Sequence, residues 1–326
     1  MRMKAVSLTL AAFGMALGLG AAQPARAEDY PNRVITLVVG MAPGSVTDTA
    51  ARIVAQRAAQ ILGENVIVIN KPGAASMIAS ESVVRAPADG YTLLLTSVAM
   101  SVNPSLYKRV PYDAATDLVP VAFLVNAPQI LVVNPSVGVK TLGEFLEKYK
   151  DAKNLNYASP GVGTMPHLAA EVFSIKSGIK MNHVPYRGGA PALNDVIAGN
   201  VQLTFITPVA KGHIQSGEVR ALAVASKERL ETLPDIPTFA QVGLPLPEIN
   251  AGAWFGVMAP KGTPPAIVAK LNGAFDNALR DEAVREKLKN LGLIPDPMTP
   301  AEFGGFVHQD KATWETILGS AGIAKQ

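Results

Sequence analysis

Cysteine is absent from this 326-residue chain. Its absence excludes disulfides, thiolate metal sites, cysteine nucleophiles and a lipid-modified cysteine anchor. Aromatic residues are scarce at 6%. With 48% apolar residues, the composition is that of an aliphatic α/β protein and not of a disordered chain. The four histidines, His167, His183, His213 and His308, are scattered. None has a second histidine three or four positions away. No G-x-S-x-G elbow and no P-loop occurs. After the first 27 residues no apolar run is long enough to span a bilayer.

Charge of one sign is lacking too, once its location is considered. The formal net charge is +3, from 29 basic and 26 acidic side chains. Arg2 and Lys4 precede the uncharged, mostly apolar run Ala5–Ala22, and Ala25-Arg26-Ala27 closes it. A charged start, a short apolar core and an A-x-A exit predict a cleavable secretory signal peptide over residues 1–27. Its removal takes away Arg2, Lys4 and Arg26 and no acid, so the remainder is electrically balanced. No global attraction for a polyanion is left, which argues against nucleic acid as a partner. An exported chain without cysteine is expected to diffuse freely in a periplasm.

Beyond residue 27, β-branched runs alternate with helix-period segments. Val34–Val39, Val66–Ile69 and Thr92–Thr96 read as strands, with helices over Asp48–Ile61 and Met77–Val84 between them. Two further strands, Val119–Leu124 and Ile130–Val133, precede a second alternating block. That block runs from the helix Leu142–Lys150 to the strand Ala221–Ala225. Trp254–Met258 reads as a late strand, followed by helices over Pro264–Leu279, Glu282–Leu291 and Pro300–Leu318. If the late strand returns to the first block, the chain crosses between blocks twice, near Asn126–Gln129 and Asn250–Ala253. A double crossover makes a hinge with a ligand cleft.

Two loops sit where open α/β sheets bind ligands, at a strand's carboxyl end and a helix start. The first is Gly40-Met41-Ala42-Pro43-Gly44-Ser45-Val46-Thr47, where either a tight turn with Thr47 as helix cap or an anion site is consistent with the residues. Asp48 and Arg52, one helical turn apart, read as a structural pair. The second is Ser159-Pro160-Gly161-Val162-Gly163-Thr164-Met165-Pro166-His167, with glycines for close approach and two hydroxyls. In a third segment Arg187, beside Gly188 and Gly189, is either a carboxylate clamp or a solvated loop arginine. Ser97 or Ser159 with His167 could be read as nucleophile and base, a pairing that any α/β protein of this length offers.

Several strings, in order along the chain, resemble the tripartite tricarboxylate transporter substrate-binding proteins, the Bug family. They include Asn70-Lys71-Pro72-Gly73-Ala74, Ala86-Pro87-Ala88-Asp89-Gly90-Tyr91-Thr92-Leu93-Leu94 and Asn103-Pro104-Ser105-Leu106-Tyr107. Pro185-Tyr186-Arg187-Gly188-Gly189-Ala190-Pro191-Ala192 and Leu233-Pro234-Asp235-Ile236-Pro237-Thr238 complete the set. The resemblance implies an α/β, type II-like two-domain periplasmic binding protein fold. Each domain would be a mixed, mostly parallel sheet flanked by helices and hinged about a central cleft. The domains would be residues 28–127 with 253–326, and residues 128–252.

The resemblance also implies no enzyme activity and no cofactor or metal. It implies a monomeric periplasmic receptor that closes over a small organic acid, a dicarboxylate being favoured, and delivers it to integral-membrane permease subunits. A secreted serine hydrolase, or a ligand sensor docking a membrane kinase, is the alternative. The ligand-binding loops fall on Met41, Ala42, Pro43, Gly44 and Ser45, and on Ser159, Gly161, Val162, Gly163 and Thr164. Ser76, Ser97, His167, Arg187 and Thr207 complete the candidate set. The chain departs from the family at Gly40-Met41, where Pro-Phe is usual, at Ser45-Val46, where Gly-Gly is usual, and at Ala74-Ala75-Ser76.

Overall fold

The computed structural model describes residues 30–113, 116–152, 154–320 and 325. The expected signal peptide, residues 1–27, lies outside the described residues. Two mixed sheets organise the chain. The first holds β1 (Ile35–Val39), β2 (Val66–Asn70), β3 (Thr92–Ser97), β4 (Leu118–Asn126), β10 (Phe255–Pro260) and β11 (Ile294–Met298), in the order β11-β4-β10-β3-β1-β2. The second holds β5 (Gln129–Val133), β6 (Leu155–Ser159), β7 (Met181–Pro185), β8 (Leu203–Ile206) and β9 (Arg220–Ala225), in the order β7-β6-β8-β5-β9. Parallel pairing is confined to β2-β1-β3 and to β7-β6-β8; the other pairings are antiparallel. The sheets are therefore mixed but mostly parallel in strand direction, the reversed strands being β10 and β11 in the first and β5 in the second.

The late strand β10 returns to the first sheet between β3 and β4, pairing Phe255 with Ser97 and with Val125. The chain leaves the first sheet at Ala127 and comes back at Gly252. These two residues form a bridge, with Ala127 N–H donating to the Ala253 carbonyl at 2.9 Å and Ala253 N–H donating back at 3.1 Å. Both crossovers depart from the carboxyl edge of β3 and β4. Both enter the second sheet where Gln129 and Ile130 face Ala225 and Ile206, the carboxyl ends of β9 and β8. The carboxyl edges of the two sheets thus meet at the junction.

The helices follow from local chemistry. Helix α1 (Val46–Leu62) is alanine-rich and buries Ala50, Ala51, Val54, Ala55 and Ala58 on one face. Ser45 caps it by accepting from Asp48 N–H at 3.2 Å, and Gly63 ends it in the left-handed region. Thr47, read from sequence as the cap, is the second residue of the helix and is buried. The helix starts earlier because the serine hydroxyl reaches the third amide from position 45.

Three elements bear on the site. Helix α2 (Met77–Val84) follows β2, and helix α5 (Met165–Ser177) follows β6. Helix α3 (Ala99–Leu106), not read from the sequence, follows β3 at the carboxyl edge. Helix α10 (Pro300–Ser320) packs on α3 and buries Phe303, Val307, Asp310 and Trp314 at helical spacing. Asp310 accepts from the indole N–H groups of Trp254 and Trp314, each at 2.9 Å, and so ties α10 to the returning segment. Burial pushes its carboxyl pKa up, against hydrogen bonds from Ser101 and both indoles. The edge strand β11 was also missed. Pro295 and Pro297 break the strand pattern, but an outer strand tolerates prolines that have no N–H to contribute.

Candidate functional site

The first loop, between β1 and α1, is held by a buried carboxylate. Asp48 is 3% exposed. It accepts from Gly44 N–H at 2.9 Å, from Asn70 Nδ2 at 2.8 Å and from Arg52 Nε at 3.1 Å. Asn70, in the Asn70–Ala74 turn motif, also donates to the Met41 carbonyl at 3.0 Å. Burial pushes the Asp48 pKa up. Hydrogen bonds from Arg52, Gly44 and Asn70, with the Arg52 charge, outweigh it and hold the carboxyl below its usual range. The pair read as structural is therefore the anchor of the loop, and the Gly44 N–H is engaged inside the protein. The N–H groups of Met41, Ala42, Val46 and Thr47 make no hydrogen bond to another described residue. Pro43 has no N–H, and it is exposed with Met41 and Ala42. These open donors surround the amino end of a 17-residue helix, an arrangement suited to an anionic oxygen.

Beside this loop the chain makes a left-handed turn. Ala74, Ala75 and Ser76 have φ of 46°, 49° and 69°, the positive-φ non-glycine residues among those described. Such backbone costs on the order of 1 kcal/mol or more per residue. Side-chain bonds hold it: Asn103 Nδ2 donates to the Ala75 carbonyl at 3.0 Å and Ser76 Oγ to the Gly40 carbonyl at 3.2 Å. A Cβ on residue 40 would collide with the Ser76 side chain, so glycine at 40 and serine at 76 accommodate each other. Ser76 Oγ also lies 3.9 Å from Met41 Sδ.

The second loop, between β6 and α5, is closed on itself by neutral groups. Ser159 is fully buried, and its Oγ accepts from Gly161 N–H at 3.1 Å and lies 2.6 Å from His183 Nε2. Thr164 Oγ1 donates to the Gly161 carbonyl at 2.6 Å, and Gly163 N–H reaches His167 Nδ1 at 3.4 Å. Tyr157 stacks on His183 with ring centroids 4.8 Å apart, and His167 lies 4.4 Å from His183. The Tyr157 hydroxyl donates to Glu171. Burial pulls the His167 pKa down to about 4. Burial, with the neighbouring His167, pulls His183 down to about 4 against the opposing charge of Glu171. The serine suggested as partner of His167 is paired instead with His183, because parallel pairing of β6 and β7 sets Tyr157 opposite His183. A fully buried Ser159 is no accessible nucleophile.

The loops are linked through α3. Gly163 has φ of 78°, and a Cβ there would fall 2.6 Å from Leu106 Cδ1. Only glycine fits both the backbone and the contact. The path from Met41 to Ser76, from Ala75 to Asn103 and from Leu106 to Gly163 is continuous. The roles of Asn103 and Leu106 escaped sequence reasoning, although both lie in the Asn103–Tyr107 string that carried the family resemblance. The remaining candidates are peripheral to this path. Half-buried Ser97 ends β3, its Oγ accepting from Ala99 N–H at 3.4 Å. Half-buried Thr207 follows β8 and precedes a short 3-10 turn, Pro208–Ala210. Arg187 is exposed and makes no ion pair with another described residue. Among the described residues no group of three or more His, Asp or Glu side chains could hold a metal ion, and no helix is long and apolar enough to cross a membrane.

Residues 50–323 match the family described as the tripartite tricarboxylate transporter family receptor. Protein BugT of Bordetella pertussis is 36% identical over 307 residues, spanning 93% of this chain and 94% of the relative. The solved structure of Rpa4515 from R. palustris with adipate superposes with a TM-score of 0.77 at 33% identity, covering 91% of this chain and all of that one. MatC from Rhodopseudomonas palustris with bound malate gives a TM-score of 0.72 at 32% identity, covering 89% of this chain and all of that one. With its two mixed sheets, their meeting carboxyl edges and these matches, the chain belongs to the tripartite tricarboxylate transporter receptor family, the Bug proteins, and is a solute-binding receptor, not an enzyme.

Proposed function

We propose that this receptor captures a small organic acid, a dicarboxylate being the favoured class, between residues 28–127 with 253–326 and residues 128–252. The observation that carries this reading is the set of unpartnered N–H groups at Met41, Ala42, Val46 and Thr47, on the edge where the two sheets meet. Hydrogen bonds to a charged acceptor contribute roughly 1.5–3 kcal/mol each, so a few such donors suffice for micromolar binding without a Lys or Arg. The adipate and malate held by the two R. palustris relatives support the same class. Export through a signal peptide over residues 1–27 makes the receptor periplasmic and untethered. It acts as a monomer and delivers its ligand to a two-component membrane permease, the partner that family membership implies. A thermal-shift panel of carboxylates, neutral sugars and polyamines tests the reading. Stabilisation by at least one carboxylate is expected; stabilisation by sugars or polyamines alone would sink it. Mass spectrometry of a co-purifying small molecule would name the acid.

A further inference from the structure

We infer that the acid bound here has an unhydroxylated hydrocarbon body, aliphatic or aromatic, received by Met41, Val46 and Val162. The inference rests on the carboxylate reading above and specifies its ligand. Met41 is 44% exposed, Val46 41% and Val162 46%. The first two flank the open donors of the first loop, and Val162 adjoins Gly163, the residue that meets Leu106 across the junction. Large apolar side chains on the very loops that surround a carboxylate site are positioned to be covered by the ligand itself. Met41 is flexible enough to follow a chain of variable shape.

The polar side chains of these loops point to the same chemistry, because they are already engaged. Ser45 Oγ caps α1, and Asp48 is enclosed by Gly44, Asn70 and Arg52. Ser76 Oγ donates to Gly40, Thr164 Oγ1 to Gly161, and Ser159 is buried against His183. The hydroxyls of Ser97 and Thr207 lie at strand ends, on neither apolar loop. A ligand hydroxyl placed against the side chains of Met41, Val46 and Val162 would lose its water to apolar surface while the open N–H groups hold the ligand carboxylate, a cost that an unsubstituted methylene avoids.

Calorimetric titration of the purified protein with matched pairs tests this: adipate against its tetrahydroxy counterpart galactarate, and succinate against malate and tartrate. The unsubstituted acid of each set should bind about tenfold tighter or more, in line with the discrimination a hydrophobic pocket achieves. Met41→Ser and Val162→Ser should each weaken the unsubstituted acids by roughly five- to tenfold and narrow the gap to the hydroxylated ones. Both side chains are exposed, so unliganded melting temperatures should not move, which separates lost recognition from lost folding. Equal or tighter binding of the hydroxylated acids overturns this inference and leaves the receptor reading standing. Failure of every acid in both series and of benzoate and terephthalate overturns this inference, whereas the carboxylate reading falls only if the thermal-shift panel shows stabilisation by sugars or polyamines alone.

Discussion

The two ligand-edge loops occupy equivalent places, each after a strand flanked by parallel neighbours and before a long helix, yet they are held by opposite electrostatics. The first is fixed by an ionised carboxylate, Asp48, that draws in an amide, an asparagine and a guanidinium. The second is fixed by uncharged groups, the hydroxyls of Ser159 and Thr164 and the imidazoles of His167 and His183. Charge in the first loop is neutralised locally by Arg52, so Asp48 does not repel an incoming anion. Charge in the second is avoided altogether. One consequence is an unequal supply of donors. The first loop keeps free N–H groups at Met41 and Ala42, whereas those of Gly161, Gly163 and Thr164 are turned inward. On the proposed reading the first loop is thus the stronger carboxylate binder of the two.

Breaking the first anchor should have the largest effect. Asp48→Ala leaves the Gly44 N–H unpartnered, takes one of two acceptors from Asn70 and removes the carboxylate beside half-exposed Arg52, and a loss of about 2–3 kcal/mol in denaturant unfolding is expected. Carboxylate affinity should fall in the same variant, because the loop loses its shape.

Acid should separate the loops. His167 and His183 are held neutral in the folded protein, with pKa values lowered from 6.5 to about 4. The unfolded chain therefore binds more protons between these limits. The stability they contribute is complete above pH 6.5 and is lost as pH falls through about 4. For buried His167 the loss is on the order of 3 kcal/mol; half-buried His183 adds less. The groups facing the pair are Tyr157 and Glu171. Asp48 has the same sign but a lower window: its lowered pKa delays its loss until below the ordinary carboxyl value of 3.8. Stability measured from pH 7 to 4.5 should slope downward, and His167→Gln should flatten that slope. An unchanged slope would show that the second loop does not govern the acid response.

The smallest effect distinguishes the helix starts. Ser45 caps α1 through its side chain, while Thr164, at the same position of α5, makes no capping bond and turns its hydroxyl back to Gly161. Ser45→Ala should cost about 1 kcal/mol, recovered by Ser45→Asp. Thr164→Asp should bring no comparable gain, because its loop is closed by the bond to Gly161. Thermal melts of the three variants measure the difference.

Local patterning made much of this legible. The β-branched runs, the alanine-rich α1 and the two glycine-bearing loops could be read because each depends on residues close together in sequence. The Asp48–Arg52 pair could be read for the same reason, being one turn apart. Helix α3 and β11 could not. Pro104 interrupts the first pattern and Pro295 and Pro297 the second, and both elements are retained by packing, against α10 and β4. The capping role of Ser45 was displaced by one plausible competitor, Thr47, two residues on.

The sequence by itself determined the alternation of strands and helices, the charge balance beyond residue 27, the absence of thiol chemistry and the two loops where a ligand should sit. It determined them because composition, periodicity and turn chemistry are local. Tertiary structure alone decided that His183, and not His167, meets Ser159, that Gly163, with φ of 78°, lies against Leu106, and that most amides of the second loop face inward. Those outcomes depend on strand register and on the return of β10 between β3 and β4, which brings distant segments within hydrogen-bonding distance. No local pattern encodes them.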